Sequence, residues 1–231
     1  MSLESLREEV LRANLELVKS GLVIATFGNA SGIDRSSGRV VIKPSGVPYD
    51  RLISADLVVT DLDGRIVEGK LRPSSDLPTH LALYRAFGNV AGVVHTHSRY
   101  ATAWAQAVAE IPCFGTTHAD YFRGAIPVTE PMQSCDIESE YEWNTGQAIM
   151  KRFSSLDPLA MPAVLVAGHG PFCWGPSPDA AAHNAIMLEE LAHLAWLTVT
   201  IQADAQAIPN VLRDKHFLRK HGAGAYYGQG S

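Results

Sequence analysis

The chain has 231 residues, a formal net charge of −5 and 46% hydrophobic side chains. That length and apolar content fit a single domain spanning residues 1–231 with a large core, and the acidic balance, without a dense lysine or arginine run, argues against a nucleic-acid surface. Three cysteines (Cys113, Cys135, Cys173) form no C-x-x-C pair and suit a reducing compartment. The first turns carry Glu4, Glu8 and Glu9 instead of a basic start, and the most apolar stretch, Leu191 to Ile201, is too short for a bilayer and contains His193. The expectation is a soluble, cytoplasmic protein with no membrane contact.

Ser5-Leu6-Arg7-Glu8 has the spacing of a capping box, and Leu6, Val10, Ala13 and Leu17 then recur at helical intervals up to Gly21. Leu22 to Phe27 reads as a strand ending in the small-residue turn Gly28-Asn29-Ala30-Ser31-Gly32. Val40-Val41-Ile42 is a second strand. Leu57 to Thr60 and Arg65 to Val67 flank a hairpin turn at Asp61-Leu62-Asp63-Gly64. Gly64 to Lys70 spells G-x-x-x-x-G-K, but Leu71 stands where a phosphate-binding loop needs a hydroxyl, and no helix follows, so that motif is rejected. A helix from Pro78 to about Phe87 follows the turn Pro73-Ser74-Ser75-Asp76. Gly92-Val93-Val94-His95 reads as a strand, Tyr100 to Val108 as a helix, Ile111 to Thr117 as another strand, and Ile137 to Phe153 as one helix. Ala163 to Ala167 is a buried strand stopping at Gly168-His169-Gly170. Long and short helices over Asp179–Ala203 and Pro209–His221 precede the tail 222–231.

His95 and His97 lie two residues apart at a strand end, so both imidazoles project from one side. The pair reads equally as two half-buried core histidines or as half of a metal site. His169, also at the end of a buried strand, supplies a third imidazole, and three histidines with an open fourth position make the usual catalytic zinc pattern. Asp76 is either a further ligand, a carboxylate beside the metal, or an N-cap for the helix that follows. Gly28-Asn29, Ser45-Gly46 and Ser74-Ser75 each combine backbone N–H groups with small polar side chains, which suits an anion. Near a metal, they suggest a phosphorylated small substrate.

Thr26-Phe27-Gly28-Asn29-Ala30-Ser31, Lys43-Pro44-Ser45-Gly46, Arg72-Pro73-Ser74-Ser75-Asp76, His95-Thr96-His97-Ser98 and Gly168-His169-Gly170-Pro171 resemble the class II aldolase/adducin family, in the expected order along nearly the whole chain. Phe27 stands where a tryptophan is expected, and Ala167-Gly168 where a more polar pair is usual. Gly115 to Phe122, Asp214-Lys215-His216 and Ala225 to Gln229 point within that family to its epimerases. The resemblance implies a single layered α/β/α domain with a central, mostly antiparallel sheet, assembling as a homotetramer with sites at subunit interfaces. It implies that His95, His97 and His169, with Asp76, bind Zn²⁺ or another divalent ion such as Mn²⁺. It further implies that Gly28, Asn29, Ser45, Gly46, Ser74 and Ser75 hold the substrate and its phosphate, and that Asp120 and Tyr227 are the acid–base pair. The activity implied is interconversion of L-ribulose 5-phosphate and D-xylulose 5-phosphate by retro-aldol cleavage and re-addition. A class II sugar-phosphate aldolase is the alternative, and a Schiff-base aldolase using Lys43 is a third possibility of different chemistry.

Overall fold

A computed structural model describes residues 2–226. Its seven strands are β1 (Asn29–Asp34), β2 (Arg39–Ile42), β3 (Val58–Thr60), β4 (Ile66–Glu68), β5 (Gly92–His95), β6 (Ala163–Val166) and β7 (Gly170–Gly175). They form one sheet in the order β4-β3-β2-β1-β5-β7-β6, with every neighbouring pair antiparallel. The helices are α1 (Leu3–Lys19), α2 (Leu77–Ala86), α3 (Arg99–Gln106), α4 (Thr116–Ala119), α5 (Ser134–Glu138), α6 (Tyr141–Arg152), α7 (Pro178–Ile201) and α8 (Asn210–His221). None of them is long and apolar enough to cross a membrane.

Strand parity divides the layers. Gly32 on β1 pairs with Gly92 on β5. A methyl group on Gly32 would meet Pro178 of α7 and Leu6 and Val10 of α1, so this face carries α1 and α7. Ser31 and His95 point the other way. Ser31 Oγ bonds His80 Nδ1 (2.7 Å) and Tyr84 Oη (2.8 Å), so α2 covers the opposite face. There, Trp174 of β7 packs with Phe87 and Phe153 at the ends of α2 and α6, at ring separations of 5.2 and 5.0 Å. The glycine pair lets the start of α7 come down on the sheet backbone: a Cβ at Gly92 would lie 2.3 Å from Ser177 O and 2.5 Å from Pro178 N. Because backbone cannot swing aside as a flexible side chain can, Gly92→Ala is expected to cost about 3 kcal/mol or more. A urea titration of the variant against the parent measures it.

Several elements differ from the reading of the sequence. The first helix begins at Leu3, with Ser2 Oγ accepting from the Ser5 N–H (3.1 Å); Ser5 itself lies inside the helix. Leu22–Phe27 is not a strand. Ala25 adopts φ +55°, Ile24 and Phe27 face outward, and the strand starts instead at Asn29, within the stretch expected to turn. Small residues suit β1 because helices press on one side of it and the α2 hydroxyl and imidazole groups bond to it on the other. Ile111–Thr117 contributes only an isolated bridge between Ile111 and Ile126. The helix expected over Ile137–Phe153 is two, separated at Ser139 and Glu140. Asn144 Nδ2 donates there to Asp136 O (2.9 Å), closing the bend. Strand β7 was not expected at all, because Gly170-Pro171 at its start reads as a turn.

Candidate active site

The two histidine strand ends converge. One ligand nitrogen from each of His95, His97 and His169 lies within 4.8 Å of the others. Their rings stand 4.6 to 5.0 Å apart and near-perpendicular. His95 closes β5, pairs with Phe172 across β7 and stacks on its ring at 4.2 Å. Its Nδ1–H donates to Pro171 O (2.9 Å), so Nε2 is the nitrogen left for an ion. Tyr141 Oη lies 3.2 Å from His169 Nδ1, leaving Nε2 free there as well. His97 is half-buried against the exposed Phe27 ring (5.7 Å). Burial lowers the pKa of all three imidazoles against the opposing charge of Asp76, and neighbouring histidines lower His95 and His169 further. They are therefore neutral at pH 7, the form in which imidazole binds a metal. Three neutral imidazole nitrogens gathered in one place fit a borderline divalent ion.

Asp76 stands beside this cluster without belonging to it. It occupies the N-cap position of α2, yet its side chain makes no capping bond. Its carboxylate accepts instead from Asn29 Nδ2 (2.6 Å). Burial opposes its ionisation, but the histidines His95, His80 and His169 and the Asn29 amide outweigh that and lower its pKa. Asn29 also donates to Ser74 Oγ (3.0 Å), while its own Oδ1 is buried with no partner among the described residues. Since Asn29 pairs with His95 across the sheet, one amide ties the metal strand to the Ser74–Asp76 turn. The Lys43–Gly46 turn joins the same group. Pro44 bridges Pro73, Ser45 N donates to Arg72 O, and Ser74 N donates to Lys43 O (both 3.0 Å). Gly28 completes it, with φ +92° and space for a Cβ only 3.0 Å from His95 O. Gly28, Asn29, Ser74 and Asp76 are thus tied to the strand that ends in His95, and the turn carrying Ser45 and Gly46 is tied to the turn carrying Ser74 and Ser75. Lys43 lies beneath them, its ammonium 4.5 Å above the Tyr49 ring and its pKa lowered by burial.

Asp120 lies elsewhere. Its carboxylate accepts from Arg219 Nε (3.0 Å) and Nη2 (2.7 Å) and from His216 Nδ1 (3.1 Å), all on α8. His221 Nε2–H donates to its backbone O (2.9 Å). Burial resists its charge, but these bonds prevail and lower its pKa. Tyr227 lies outside the described residues. His118, next to Asp120 in sequence, is a buried structural histidine whose Nε2–H donates to Gly124 O (2.8 Å).

Two residues at the site had no mark in the sequence. Tyr141 reaches His169 from the start of α6. Glu189 on α7 accepts from the N–H groups of Tyr100 (2.8 Å) and Ala101 (2.9 Å), satisfying the open end of α3 just after His97. A lone tyrosine or glutamate on a helix carries no local signal of such a distant partner. Glu189→Ala leaves two helix N–H groups without an acceptor and is expected to lower stability by about 1–3 kcal/mol, with Glu189→Gln recovering part of it, as urea unfolding would measure.

A three-histidine cluster that could hold a metal ion stands beside anion-suited turns on an antiparallel sheet, and residues 8–196 match the class II aldolase and adducin N-terminal domain family. The chain belongs to this family. It is 50% identical over 227 residues to the L-ribulose-5-phosphate 4-epimerase UlaF of Salmonella paratyphi A, a match covering 98% of this chain and 100% of that protein. The UlaF epimerase of Salmonella typhi shows the same identity and coverage. Among solved structures, an L-fuculose 1-phosphate aldolase superposes with a TM-score of 0.79 at 24% identity, covering 94% of this chain and 96% of that one. YgbL of Escherichia coli, a putative aldolase/epimerase/decarboxylase, superposes with a TM-score of 0.73 at 25% identity, covering 92% and 97%.

Proposed function

We propose that the chain is an L-ribulose-5-phosphate 4-epimerase, interconverting that ketopentose phosphate with D-xylulose 5-phosphate. The observation that carries this reading over an aldolase is the end-to-end identity of 50% to 4-epimerases, against 24% to a fuculose-phosphate aldolase.

The carbon to be inverted bears no acidic proton, so simple deprotonation cannot invert it. The route available is cleavage. A base takes the proton of the C4 hydroxyl, the C3–C4 bond breaks, and its electron pair passes to the ketone-bearing fragment as an enediolate. Glycolaldehyde phosphate is the other fragment. When the aldehyde has turned, the bond re-forms on its opposite face and an acid protonates the new C4 oxygen. His95, His97 and His169, with Asp76 beside them, would hold Zn²⁺ or another divalent ion such as Mn²⁺, which supplies Lewis acidity to stabilise the enediolate charge. The turns at Gly28-Asn29, Ser45-Gly46 and Ser74-Ser75 would bind the substrate and its phosphate. Asp120 and Tyr227 would be the proton carriers on the two faces.

Asp120 is bonded to its own α8 and not to its own histidine cluster, which favours sites completed between subunits, as in a homotetramer. The exposed Ile24 and Phe27 beside His97, and Trp196, Leu197 and Ile201 on α7, supply apolar surface for such an assembly. We further propose a cytoplasmic enzyme. Incubation with L-ribulose 5-phosphate should yield D-xylulose 5-phosphate. Stoichiometric release of aldehyde with no D-xylulose 5-phosphate would instead establish the aldolase, and borohydride trapping on Lys43 would establish the Schiff-base route.

A further inference from the structure

The three imidazoles are not held alike. His95 is fixed twice over, by the Pro171 carbonyl on Nδ1 and by the stacked Phe172 ring. His169 sits on the β6–β7 turn between Gly168 and Gly170, and its backbone is tied by its N–H to Val166 O (3.0 Å). Neither bond nor turn fixes the ring. The side-chain group on its second nitrogen is the Tyr141 hydroxyl, at 3.2 Å. That tyrosine opens α6, and α6 is itself clamped: Thr79 Oγ1 of α2 donates to Glu142 O (2.5 Å), and Gly146 packs so closely on Ala82 that a Cβ there would come within 2.6 Å.

We infer that Tyr141 is a positioning residue that holds the His169 ring with Nε2 toward the metal. This rests on the proposal that the three histidines bind a divalent ion. A metal on Nε2 requires the ring proton on Nδ1, so Nδ1–H donates and Tyr141 Oη accepts. The phenol hydrogen is then left to point elsewhere. The hydroxyl thereby links the start of α6 to the histidine on the β6–β7 turn.

The test removes only the oxygen. Parent protein and Tyr141→Phe, each freed of metal, are titrated with Zn²⁺ against a chromophoric chelator and with Co²⁺ by visible absorption. The parent is expected to bind one ion per chain. The variant should bind Zn²⁺ about ten- to a hundredfold more weakly. Its Co²⁺ bands should shift, while the melting temperature of the metal-free form falls by no more than about 4 °C. A merely structural tyrosine would move that melting temperature and leave the Co²⁺ spectrum of the loaded protein alone. Zinc affinity within a factor of about two of the parent, with superimposable Co²⁺ spectra, would overturn the inference while leaving the metal site standing. A parent chain that binds neither ion would overturn both, and that failure is visible before any substitution is made.

Discussion

His97→Asn is expected to lose metal and activity together. The substitution removes one of three imidazoles, and loss of a direct ligand should weaken Zn²⁺ by more than the roughly ten- to hundredfold seen for residues that only orient ligands. His97 is half-buried at a strand end, where its ring meets the exposed Phe27 and the other two imidazoles, so the fold should survive. Metal analysis of the purified variant, beside a turnover assay with L-ribulose 5-phosphate, checks both halves of the expectation. Excess zinc should restore part of the activity by mass action. A variant with full metal content and no turnover would show that His97 serves the reaction otherwise than as a ligand.

Asp120→Asn should separate what His97→Asn keeps together. Metal content is expected to stay near that of the parent, because Asp120 lies with α8 and not with the histidines, whereas turnover falls by about 10²- to 10⁴-fold with the loss of a proton carrier. Arg219 and His216 keep the native carboxylate ionised at neutral pH, ready to accept a proton. The same ion pair sets a pH dependence of stability. A carboxyl group whose pKa is lower in the folded than in the unfolded chain stabilises the fold above its unfolded value and loses that contribution as pH falls through the folded value. Stability of the parent should therefore drop more steeply than that of Asp120→Asn on acidification below the ordinary carboxylate range, as urea midpoints at several pH values would show. A variant retaining parental turnover would remove Asp120 from the reaction.

The fold class and the gathering of the three histidines were legible in the sequence, whereas several of the elements around them were not. His-Thr-His at the end of a β-branched run states its geometry through the two-residue period of a strand alone, and His169 repeats the arrangement. The serine turns were recognisable by composition, although what gathers them, the Asn29 amide and the Pro44–Pro73 bridge, is tertiary. The misread elements each depend on contacts that local sequence does not show. Strand β1 opens with asparagine, alanine, serine and glycine because both of its faces are crowded, and no propensity scale rewards that. Strand β7 opens with Gly170 because a Cβ there would lie 2.8 Å from Thr96 O. The split between α5 and α6 depends on Asn144 reaching back to Asp136. Tyr141 and Glu189 could not be marked from sequence, since each acts on a group far along the chain.

The sheet's order gives the site a further property. Strands β4 to β1 form one run of chain neighbours, and β6 with β7 forms a hairpin, so both groups can pair locally. They meet only through β5, whose partners on either side are distant in sequence. Asn29, His95 and Phe172 lie in one row across that seam. A one-residue slip there would turn Asn29 or His95 toward α7 and take the row apart. The centre is thus a register mark for the whole sheet, formed only when the two locally built halves have joined in the one alignment that puts all three residues on the same face.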